Sequence, residues 1–84
     1  MPNVARINGL RVVIYPNDHG PAHVHIIGGG SEAVFLLRCP SGPPELRSNT
    51  GFTLGTLRGL RPRLAEMVPR LCAHWRRIHD DIRA

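Results

Sequence analysis

Two patterns of apolar spacing divide the chain. In the first half apolar and polar residues alternate in short runs, the period of strands. Residues 4–7 and 10–15 flank Asn8-Gly9, and Asn-Gly between two such runs predicts a tight hairpin, because both turn positions take positive φ. Leu10, Val12 and Ile14 fall on one face of the second run, and Arg11, Val13 and Tyr15 on the other. Residues 16–22 form a loop rich in Pro, Gly, Asn and Asp. A short strand at 23–27, a glycine turn at 28–31 and a strand at 32–38 follow. In that strand Ala33, Phe35 and Leu37 share a face opposite Val34 and Leu36. A second Pro/Gly loop at 39–44 leads to a short edge strand at 45–47.

Beyond residue 50 the period changes. Leu57, Leu60, Leu64, Val68, Leu71, Trp75, Ile78 and Ile82 are spaced by threes and fours, one continuous helical stripe with Thr53 placed to cap its start. Pro62 and Pro69 interrupt it, and an interior proline costs a helix about 3 kcal/mol. The stripe therefore predicts two helices, or one bent at a proline, with the break placed near Pro69 and Pro62 close behind. The expected fold is α+β: a small antiparallel sheet of three to five strands covered on one face by one or two C-terminal helices. The chain reads as a single domain, with a sheet half at 1–49 and a helical half at 50–84.

Composition narrows the function classes. With 84 residues the protein has a thin stability margin, which a homodimer or a covering partner would improve. No apolar run nears the roughly 18–20 residues that cross a bilayer, and no signal-peptide pattern opens the chain, so a cytoplasmic protein with no membrane association is expected. The cysteines Cys39 and Cys72 match neither a disulfide framework nor a zinc knuckle and read as reduced thiols, with Cys72 in the core. All eleven basic residues are arginines, and the formal net charge is +5. This bias either reflects G+C-rich coding or suits phosphates and acidic partners, which the guanidinium fork matches. Arg58, Arg61, Arg63, Arg70, Arg76, Arg77 and Arg83 fall in the helical half, mostly off the apolar stripe. They predict a solvated basic face that serves solubility, RNA or an acidic protein.

The candidate chemistry is in Asn17-Asp18-His19-Gly20-Pro21-Ala22-His23-Val24-His25-Ile26, with three of the five histidines in seven positions. On a strand His23 and His25 project from one face, while Val24 and Ile26 point the other way. Gly20-Pro21 turns the loop so that Asp18 and His19 can approach the same point. Two chemistries suit this pattern. Asp18, His19, His23 and His25 could ligate a divalent transition metal such as zinc, nickel or manganese, with a position left open for water. Alternatively His19, His23 and His25 could act as acid and base on a phosphodiester, with Arg11 and Arg38 stabilising the charge on phosphorus. Arg47 is a further candidate for that role. Exposed histidines that only contact a partner are the third alternative. His74 and His79, beside Trp75 and next to Asp80 and Asp81, read as surface residues and Trp75 as core.

The stretch Ile14-Tyr15-Pro16-Asn17-Asp18-His19-Gly20-Pro21-Ala22-His23-Val24-His25-Ile26 resembles a small bacterial family, domain of unknown function 4160. That family runs from an aromatic-rich strand into Asp-His-x-Pro-Pro-His-x-His, then through Gly-Phe-Ser/Thr into a Leu-rich helical tail with a Trp. Asp18, His19, Pro21, His23 and His25 match the first part, and Gly51-Phe52-Thr53 and Trp75 the second. Ala22 replaces the second Pro, and Pro62 and Pro69 depart from the smoother tail. The resemblance implies a module paired with a small co-encoded acidic protein, of toxin–antitoxin type. This chain would then be the basic, toxin-like member, acting on RNA through its histidines. The alternatives are a non-catalytic metal-binding module and a pure protein-interaction domain.

Overall fold

A computed structural model describes residues 3–83, with side chains through residue 79. The order is β1 (Asn3–Ile7), β2 (Leu10–Val13), β3 (His23–Gly28), β4 (Ser31–Leu36), β5 (Glu45–Thr50) and α1 (Leu54–Arg83). The strands form one antiparallel sheet in sequential order. The fold is α+β, as the periodicities predict.

Two two-residue turns fix the register. Asn8 and Gly9 take φ of 51° and 83° between β1 and β2, and Gly29 and Gly30 take 58° and 79° between β3 and β4. Positive φ at both central positions matches the twist of the flanking strands. The second turn sets Ile27 opposite Glu32 and His25 opposite Val34. One face of the sheet then presents Val12, Ile14, Val24, Ile26, Ala33, Phe35 and Leu37, all buried. They pack with Leu57, Leu60, Leu64, Val68 and Leu71 of α1 in a single core. Each of these side chains larger than alanine contributes about 1.5–3 kcal/mol by leaving water. Helix α1 starts as its sequence predicts: the Thr56 amide donates to Thr53 Oγ1 at 3.1 Å, and the Leu57 amide donates to the Thr53 carbonyl.

Three expectations are corrected. The predicted break at Pro69 or Pro62 does not occur, and α1 is one helix with both prolines inside it. Pro62 and Pro69 are exposed, and so are Arg58 and Ala65, four residues before them, whose carbonyls lose an N–H partner. These carbonyls belong to the solvent side, where water can replace the lost donors. The buried stripe on the opposite side holds the helix together across both positions. Cys39 and Cys72 are not reduced thiols but a disulfide that closes 33 residues of separation and ties the 39–44 loop to the inner face of α1. Cys72 is buried, as expected. Their pairing leaves no trace in local spacing, since it follows from where the loop returns to the helix. The edge strand predicted at 45–47 is longer, running to Thr50. The assignments for Asp80, Asp81, Ile82 and Arg83 fall outside the described side chains.

Candidate metal centre

The site forms where the loop after β2 folds back over the start of β3. Tyr15-Pro16-Asn17-Asp18 closes a turn, the Asp18 amide donating to the Tyr15 carbonyl at 3.1 Å. Proline at the second turn position and asparagine at the third suit that geometry. The turn brings the Asp18 carboxylate over the sheet face that carries His23 and His25. One oxygen, Asp18 Oδ2, lies 3.0 Å from His23 Nε2 and 2.9 Å from His25 Nε2. The remaining ring nitrogens also face oxygens. His23 Nδ1 is 2.9 Å from the Pro21 carbonyl, and His25 Nδ1 is 2.7 Å from Glu32 Oε2. Both imidazoles are only 16% exposed. Tyr15 packs edge-on against His25, with ring centres 4.7 Å apart.

Counting protons exposes an imbalance. Carbonyl and carboxylate oxygens only accept, so a ring nitrogen facing one needs a proton or must share a cation. A neutral imidazole has one N–H. Where Nδ1 donates to Pro21 and to Glu32, that proton is used on each ring. Both Nε2 lone pairs then face the same carboxylate oxygen. A cation among Asp18, His23 and His25 would satisfy both lone pairs and the carboxylate together. The Asp18 carboxyl itself is no proton source. Burial pushes its pKa up, but the hydrogen bonds and charges of His25 and His23 outweigh this and hold it below the usual carboxylate value.

The helix braces the loop. His79 Nδ1 is 2.8 Å from the Trp75 carbonyl, and His79 Nε2 is 2.9 Å from the Asp18 carbonyl. The indole of Trp75 stacks on His79 with centres 3.8 Å apart, and lies 5.1 Å from the ring of His23. Trp75 is half-buried, packed against both the core and these histidines, and His79 is half-buried rather than a surface residue.

The expected residues separate into two groups. Asp18, His23 and His25 come together, with one ligand atom from each within 4.8 Å of the others. His19 is exposed and lies outside this triangle. Arg11 shares the histidine face through its pairing with Ile27, but makes no hydrogen bond to the cluster among the described residues. Arg38 is turned to Glu45, its Nε donating to Oε1 at 2.9 Å. Arg47, by contrast, lines a hollow with His19 and His23. Glu32 and His79 were not among the expected residues. The Gly29-Gly30 turn carries the signal for Glu32, because a two-residue hairpin there sets Glu32 diagonal to His25 on one face. His79 lies 61 residues from its partner Asp18, with no local signal.

Among the described residues no helix is long and apolar enough to cross a membrane. A family model described as Domain of unknown function (DUF4160) matches residues 9–76. No curated protein and no solved structure matches the chain.

Proposed function

Since the chain belongs to the DUF4160 family, whose description assigns no activity, we propose its function from the site: a module that binds one divalent transition metal through Asp18, His23 and His25. The observation that carries this is the Nδ1 engagement of both rings, His23 on Pro21 and His25 on Glu32, which turns two Nε2 lone pairs toward one carboxylate oxygen. Outer acceptors that fix the tautomer and orientation of ligating histidines are the usual support of such metal sites. The two Asp18–His separations, 3.0 and 2.9 Å, are near the roughly 3–3.5 Å between neighbouring ligands on bonds of about 2.0–2.2 Å, and the three atoms, within 4.8 Å of one another, would draw closer around an ion. Two imidazoles and one carboxylate suit zinc, nickel, manganese or ferrous iron, and leave coordination positions open to water or another ligand.

Metal-free acid–base action on RNA is less well supported. It asks for a pair of free imidazoles beside an arginine, whereas His23 and His25 are held by carboxylates or carbonyls and Arg38 is paired with Glu45, which leaves His19 alone beside Arg47. Thermal melting of tag-free protein tests the metal reading. Zinc or nickel should raise the melting temperature of the native chain and leave that of the His23→Ala/His25→Ala variant unmoved. Equal shifts in both, or none in the native chain, would sink it.

A further inference from the structure

We propose that the hollow beside the cluster seats the carboxylate of a small organic acid on Arg47. The proposal rests on the metal reading in one respect: the bound acid would lie against His23, one of the metal's ligands. The hollow encloses about 450 Å³, and its lining includes His19, His23, Val34, Leu36, Arg47 and Ser48. Three observations point to this occupant.

The first is the strand pairing. Between β4 and β5 the register passes from Val34↔Ser48 to Phe35↔Leu46 and leaves Arg47 as the extra residue of a bulge. Bulges re-aim a side chain and recur next to sites. The second is charge. Arg47 makes no ion pair among the described residues, while the nearby Arg38 is paired with Glu45. No carboxylate lines the hollow, so its one guanidinium stays available to an incoming anion. The third is the floor. Val34 and Leu36 project from β4 on the histidine side, and both are half-buried. They offer apolar contact to a short hydrocarbon body. A single guanidinium fork matches one carboxylate through two parallel hydrogen bonds, and His19 and Ser48 are at hand for further ones. A phosphate dianion, in contrast, is best matched by several guanidinium or ammonium groups, and Arg47 is the one such group in this lining.

Calorimetry on the zinc-loaded and the chelated chain, with butyrate, butyramide and inorganic phosphate as probes, decides the matter. Butyrate should bind best, and butyramide ~10-fold or more weaker. Arg47→Gln should weaken butyrate binding by a similar ~10-fold, Arg47→Lys by less, and Arg38→Gln by no more than ~2-fold. Butyramide binding as well as butyrate, phosphate binding more tightly, or Arg47 variants binding normally would each overturn the proposal. The two readings fail separately. Zinc uptake without butyrate binding removes the hollow and leaves the metal site standing. Arg47-dependent butyrate binding in a chain that takes up no metal does the reverse.

Discussion

At His25 both ring nitrogens meet carboxylates, Glu32 on one side and Asp18 on the other. A metal at Nε2 would be strengthened by the Glu32 carboxylate, which draws on the Nδ1 proton and makes the ring a better ligand. Glu32→Gln should therefore weaken metal affinity by ~10–100-fold in calorimetry, the usual cost of losing such a partner. His19→Ala should leave it unchanged, since His19 lies outside the triangle. Acid adds a second test. The folded Asp18 carboxyl titrates below its unfolded value, so its stabilising contribution is present above a pH of about 3.9 and lost as the pH falls through the folded value. In chelator, the melting gap between the native chain and Asp18→Asn should be open at a pH of about 5 and close with further acid. A gap that persists at the acid end would contradict the carboxylate's role. Strand alternation made the shared face of His23 and His25 legible in the sequence, and the loop composition placed Asp18 nearby. The structure leaves His19 exposed and outside the triangle, a direction that loop composition does not set before the Tyr15–Asp18 turn is formed.

Among the elements, α1 shows where local rules yield to packing. Five buried residues from Leu57 to Leu71 hold one face against the sheet, so two prolines on the exposed side do not divide the helix. The stripe was legible from spacing alone, but its continuity was not, because a proline's penalty is local while the burial that offsets it comes from the sheet. Pro69 is exposed, so Pro69→Ala should restore a backbone hydrogen bond without disturbing the core. Urea denaturation should show the variant more stable by about 1–3 kcal/mol. A less stable variant would mean that the proline itself shapes the helix. The Asn8-Gly9 and Gly29-Gly30 hairpins, by contrast, are set by their own two residues, which is why they could be read directly. The Cys39–Cys72 disulfide could not, for it joins elements that meet only after the sheet and helix have packed.

Across the whole molecule, the candidate centre draws on four separate segments. The loop supplies Asp18, β3 supplies His23 and His25, β4 supplies Glu32, and the far part of α1 supplies His79 and Trp75. The core face of the sheet takes no part; it sets the distance at which α1 can brace the loop. The two-layer architecture was legible in the sequence because its two periods are distinct, but the convergence of these four segments depends on the sheet register and the helix length together. The most direct test is a crystal structure of zinc-loaded, tag-free protein with data collected at the zinc absorption edge. The account predicts one anomalous peak per chain, about 2.0–2.2 Å from His23 Nε2, His25 Nε2 and an Asp18 carboxylate oxygen. A map with no peak there, and with both imidazoles still hydrogen-bonded to Asp18, would contradict it.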